Sequence, residues 1–365
     1  MKEKVKKKRM NIKVTILFVV ILLLIFGIYF IMRKINSNEY KLKKIGYSNK
    51  EIQVIVTKDS YIDYALNNKY IEKLVDFINT EDFKIEFLDS YLKYYKEHNE
   101  VPINDIIYLI NNDIDYEYSP ILMEIAKDKY FLKTRIERYL NYQKNHSDLN
   151  IREIVKRVNS DIDYDFYTHD IESDTSLGNL MIANKFYKLS SSYVPENLVN
   201  VENTYLKKGY GGQVDSTTYE AYKNMYNKAK EEGLTILVQS PYRSYNTQSS
   251  IYNGYVAKDG KKSADTYSAR AGYSEHQTGL AIDFATPSTV GLSNKEFGTT
   301  KEFNWLQEHA HEYGFILRYR QGEEYITGYM YESWHYRYVG VEAATIIHNE
   351  GLNYEEYFTY YVLKK

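Results

Sequence analysis

The chain has 365 residues, with 47 Lys and Arg against 49 Asp and Glu and no cysteine. That length predicts about two folded units, and the missing cysteine excludes disulfides, thiolate metal ligands and a Cys nucleophile together. The charge is segregated: residues 1–34 hold nine basic residues and one acid, which leaves the remainder with a net charge of −10. So anionic a body excludes a phosphate-gripping surface, and no nucleic-acid partner is expected.

The first predicted element is an anchor. Residues 1–13 carry seven basic side chains, and 14–32 form an uncharged run of 19 residues. As a helix this run spans about 28 Å, close to the hydrocarbon thickness of a bilayer. The basic flank predicts a cytoplasmic 1–13, a transmembrane helix over 14–32 and an extracellular remainder. Arg33-Lys34-Ile35-Asn36-Ser37 offers no small-x-small cleavage site, which favours an uncleaved signal anchor.

Residues 35–170 read as a helical, tyrosine-rich repeat or stalk region. Tyr91-Leu92-x-Tyr94-x-Lys96-x-His98 recurs as Tyr139-Leu140-x-Tyr142-x-Lys144-x-His146, displaced by 48 residues. Asn111-x-Asp113-Ile114-Asp115-Tyr116 recurs at the same displacement from Asn159 to Tyr164. Ile103, Ile106, Ile107 and Ile110 follow helical spacing, echoed by Ile151, Ile154, Val155 and Val158, so each copy reads as a helix pair. A spacer or a surface for a protein partner suits such a region. The tyrosines, 41 in all, read as compositional bias with an amphipathic surface.

From Leu177 the texture changes to short apolar runs with frequent glycine. Strands are predicted at Leu234–Val238, Phe315–Leu317 and Trp334–Val339, and helices at Tyr245–Val256, Lys301–Tyr313 and Val341–Asn349. Their irregular alternation predicts an α+β fold with an antiparallel sheet over 177–362.

Three stretches there carry chemistry. Ser240-Pro241-Tyr242-Arg243-Ser244, with Gln248 beyond, follows a strand and precedes a helix. In Ser274-Glu275-His276-Gln277-Thr278-Gly279-Leu280-Ala281-Ile282-Asp283, strand alternation puts Asp283 on one face with Ala281 and Ala285. His276 has the opposite parity, so a turn at Gly279 is needed to bring it to the same place. Glu332-Ser333-Trp334-His335 opens a strand. Two imidazoles and a carboxylate can make a three-ligand zinc site with an open vertex, and a second carboxylate can take a proton from water held there. Taken singly, a strand Asp also serves backbone hydrogen bonding, and a His beside Trp also packs in a core. His309 and His311 read as solvated.

Ser-x-His-x-x-Gly-x-Ala-x-Asp, then Glu-x-Trp-His, preceded by Ser-x-Tyr-Arg-Ser-x-x-x-Gln, resembles the VanY-type D-alanyl-D-alanine carboxypeptidases, in the zinc peptidase group of lysostaphin and the hedgehog domain. The resemblance covers about half the chain. It implies Zn2+ held by His276, Asp283 and His335, with Glu332 as general base and Arg243 stabilising the oxyanion. Ser274 and Gln248 would hold the terminal residue of a peptidoglycan stem peptide. The implied function is a membrane-anchored D,D-carboxypeptidase removing terminal D-Ala. L,D-carboxypeptidase, endopeptidase and non-catalytic zinc-binding readings share the same residues.

Overall fold

The computed structural model describes residues 12–35, 37–289 and 295–363. Most of the predicted cytoplasmic segment 1–13 therefore lies outside the described residues. The chain divides into two compact units, Met1–Met123 and Glu124–Lys365.

In the first unit, helix α1 (Ile12–Ile35) contains a stretch, Ile16–Lys34, long and apolar enough to cross a membrane. None of that stretch is buried in the protein. Short helices follow, several with evident start signals. Ser48 caps Asn49–Ile55, its hydroxyl accepting from the Glu51 N–H while the Glu51 carboxylate reaches back to the Ser48 N–H. Helices Leu88–Glu97 and Ile103–Asn111 pack around Leu88, Tyr91, Ile106 and Ile107. The buried Tyr91 hydroxyl donates to Asn111 Oδ1 at 2.5 Å. Within the second unit, helices Ile136–Asn145 and Ile151–Asn159 carry the equivalent bond, Tyr139 to Asn159 Oδ1, also at 2.5 Å.

The heart of the second unit is a four-stranded antiparallel sheet, β1 (Leu237–Ser240), β2 (Ala281–Ala285), β3 (Phe315–Tyr319) and β4 (Glu332–Tyr338), in the order β1-β2-β4-β3. The α+β expectation holds here. Leu280, Ile282 and Phe284 enter the core with Tyr222, Met225, Val238, Phe315 and Tyr336. Asp283 and the two alanines take the opposite face of β2, and Asp283 lines a cleft there. Helix α2 (Ser216–Glu231) covers the core side, α3 (Tyr245–Asp259) follows β1, and α4 (Lys301–His309) precedes β3.

Three expectations are corrected. The first strand begins at Leu237, because α2 runs to Glu231 and Gly233 turns the chain with φ +79°. The α-helix from Lys301 ends at His309 and tightens into a 3₁₀ turn up to Gly314. The tyrosines are not mainly surface: Tyr47, Tyr91, Tyr139, Tyr222, Tyr336 and Tyr354 are among the largest fully buried side chains. Each ring supplies apolar area, while hydroxyls such as those of Tyr91, Tyr139 and Tyr222 find acceptors.

Candidate active site

β2 and β4 are antiparallel neighbours with Asp283 directly opposite His335, so two side chains 52 residues apart meet across one rung of the ladder. His276 arrives from a single 3₁₀ turn, Glu275–Thr278, which Gly279 terminates in the left-handed conformation with φ +72°. A Cβ at Gly279 would lie 3.1 Å from Leu198 Cδ2 and 3.3 Å from the Asp215 nitrogen. Gly279→Ala is expected to cost about 1–2 kcal/mol or more and to lower metal affinity with it. Thermal melts and metal titration of the variant check both.

These elements bring His276, Asp283 and His335 together, buried, with one ligand atom of each within 4.8 Å of the others. Asp283 Oδ2 lies 3.3 Å from His276 Nε2, and Oδ1 lies 3.0 Å from His335 Nδ1. The outer nitrogens are spoken for: His276 Nδ1 donates to the Pro241 carbonyl at 2.7 Å, and His335 Nε2 pairs with Glu275 Oε2 at 3.2 Å. His276 Nε2 is buried without a hydrogen-bond partner. Such an orphan is expensive unless something else binds it. Two imidazole nitrogens and a carboxylate oxygen, oriented from behind by acceptors, are a donor set that fits a single zinc ion.

Glu332 stands at the start of β4, with Oε2 3.8 Å from His335 Nδ1. Arg243 sits on the loop between β1 and α3, its Nη2 3.7 Å from Asp283 Oδ2. Gln248 is buried in α3 and braces Arg243, accepting from Nη1 at 2.8 Å and donating to the Ala269 carbonyl at 2.7 Å. Ser274 lines the same cleft, of about 510 Å³. All seven expected residues therefore gather in one place.

Electrostatics separates the two carboxylates. Burial works against the Asp283 charge, but His276 and His335 beside it hold its carboxyl well below the usual range. Burial dominates at Glu332 and, only partly offset by His335, pushes it up to about 8. Burial, helped by Arg243, lowers His276 to about 4. At His335 burial is outweighed by the hydrogen bonds to Asp283 and Glu275, which raise it to about 9.

Sequence reasoning missed Glu275. Its side chain is fully buried, with Oε1 accepting from Arg318 Nε at 2.8 Å and Arg337 Nη1 at 3.2 Å. Arg318 in turn grips Glu355 with two bonds, at 2.6 and 3.0 Å. The available signal was an arginine in each of two strands, one in the otherwise apolar Phe315–Tyr319 and one between Tyr336 and Tyr338 in the strand Glu332–Tyr338, since a buried guanidinium demands a counter-charge. His311 is also corrected: it is half-buried and stacks on His348 at 3.8 Å, away from the cleft.

A buried His/Asp/His cluster that could hold one metal ion, flanked by a carboxylate and a guanidinium, lies in this cleft. Residues 211–341 match the family model described as VanY: D-alanyl-D-alanine carboxypeptidase. The chain is 41% identical over 181 residues to YodJ of Bacillus subtilis (strain 168), whose name places it provisionally among the carboxypeptidases; the match covers 49% of this chain and 66% of YodJ. It is 34% identical over 197 residues to a D-alanyl-D-alanine carboxypeptidase of Enterococcus faecium, covering 52% of this chain and 60% of that one. The solved structure of the LdcB LD-carboxypeptidase is 36% identical, with a TM-score of 0.49, over 54% of this chain and 94% of LdcB. Through residues 211–341 the chain belongs to the VanY-type carboxypeptidase family. It spans 66% of the length of the first curated relative and 60% of the second.

Proposed function

We propose that this chain is a membrane-anchored, extracytoplasmic zinc carboxypeptidase that removes the terminal D-Ala from peptidoglycan stem peptides. The observation that carries it is the convergence of His276, Asp283 and His335 within 4.8 Å on the floor of a cleft that Arg243 and Glu332 also line. Zinc held by those three side chains would lower the pKa of a bound water from about 15.7 to about 7 and polarise the scissile carbonyl. Glu332 takes the proton of the attacking water and returns it to the leaving amine. Arg243, braced by Gln248, offers its guanidinium where charge develops on the carbonyl oxygen. Ser274 holds the terminal residue of the peptide. Helix α1 anchors the chain with 1–13 in the cytoplasm, and residues 35–170 act as a helical repeat spacer that also suits a protein partner.

An L,D-carboxypeptidase reading uses the same centre, and the names of the relatives divide between D,D and LD enzymes. Digestion of defined tripeptide, tetrapeptide and pentapeptide muropeptides by the full chain, followed by mass, separates them. Loss of D-Ala from pentapeptide alone supports the D,D reading, cleavage of tetrapeptide the L,D one, and no cleavage of either refutes both.

Metal affinity should depend on pH. A ligand must shed its proton before binding, and metal-free His335 keeps its proton up to about 9. His276, lowered to about 4, adds nothing above neutrality. Zinc affinity is therefore expected to rise about tenfold per pH unit between pH ~7 and ~9 and then level off. Competition against a chromophoric chelator measures the slope.

A further inference from the structure

The connection between β3 and β4, residues 320–331, forms one wall of the cleft through Tyr329 and Met330. It is pinned by Lys185, which donates to the Gly328 carbonyl at 2.6 Å, and by the Met330 N–H, which donates to Thr266 O at 2.8 Å. The helix Ile151–Asn159 also contacts it. Lys156 Nζ sits 2.9 Å from Glu323 Oε1, and the Arg157 guanidinium stacks 4.3 Å from the Tyr325 ring centre. Arg157 Nε also donates to Glu153 Oε1 at 2.6 Å, one turn back on the same helix. From the same helix Arg152 reaches the buried Glu356 at 2.6 Å, next to the Glu355 that grips Arg318.

These charges are not what makes the helix pair. The pair 48 residues earlier keeps the Tyr–Asn bond, yet at the positions of Arg152, Glu153, Lys156 and Arg157 it has Asn104, Asp105, Tyr108 and Leu109. The cations occur in the copy that meets the cleft wall.

We propose that the helix Ile151–Asn159 is a positioning element of the active site, with Lys156 and Arg157 as positioning residues that set the 320–331 wall against the substrate peptide. The inference rests on the carboxypeptidase reading for its kinetic consequence. Glu332 and His335 are held by sheet register rather than by this helix, so substrate binding responds and the chemical step does not.

In the full chain, Lys156→Glu sets two carboxylates face to face. It is expected to raise KM about tenfold with kcat unchanged within about twofold, and Lys156→Arg is expected to restore KM. The effects of Lys156→Ala and Glu323→Gln on KM should not add. Zinc content should stay constant, while amide exchange speeds up in 320–331 in Lys156→Glu and elsewhere does not. The exchange arm is read without turnover, so an inactive parent protein refutes the carboxypeptidase reading but leaves this inference decidable. Unchanged exchange in 320–331 overturns it. So does a KM defect that Lys156→Arg fails to restore, or one accompanied by zinc loss and general melting.

Discussion

Glu332→Gln is expected to reduce D-Ala release by about 10²–10⁴-fold, the usual worth of a positioned general acid–base, with zinc stoichiometry intact. Glutamine keeps the shape but cannot accept the water's proton. The same variant has a stability signature that separates it from simple damage. In the metal-free protein Glu332 is raised from 4.5 to about 8, chiefly by burial. The unfolded chain therefore ionises first, and this side chain makes stability fall as pH climbs from about 4.5 to about 8. The variant lacks that contribution, so metal-free Glu332→Gln should overtake the parent in stability as pH rises across this window. Melts at a series of pH values in chelator test it. Parallel pH profiles for parent and variant, or retained turnover, would count against the role given to Glu332.

Glu275→Gln is expected to be the most destabilising single change at the site. It leaves Arg318 and Arg337, both fully buried, without a shared counter-charge, and breaking such a pair costs about 3–5 kcal/mol. At about 2–4 °C per kcal/mol for a unit of this size, Tm should drop by roughly 10 °C. Glu355 softens the loss for Arg318, whereas Arg337 retains only carbonyl acceptors at Asn179, Met181 and Tyr338. His335 also loses the acceptor on Nε2, so zinc affinity should weaken about 10–100-fold. Calorimetry and metal titration read the two effects separately. A variant with parental Tm and parental zinc affinity would show that Glu275 orients nothing.

Much of the site was legible in residue order because its chemistry is local. Alternation along β2 predicted that Asp283 would leave the core face, and the parity of His276 predicted a turn at Gly279, found with φ +72°. The imidazoles, carboxylates and guanidinium named from the sequence all reach the cleft. Element ends were less legible: the first strand starts three residues late, because backbone pairing with β2, which hydropathy does not report, decides where a strand begins.

By itself, then, the sequence determined the uncharged N-terminal run, the class of C-terminal fold, seven side chains that line one cleft and the family that they resemble. Tertiary structure alone decided how those residues are held. It assigned the Pro241 carbonyl to His276 and Glu275 to His335, thereby choosing which nitrogen of each ring faces the centre. It also brought the helix Ile151–Asn159 against the 320–331 wall. The reason is physical: periodicity and side-chain chemistry are properties of neighbours along the chain. Partnerships across 35 to 167 residues depend on strand register and packing, which no local window contains.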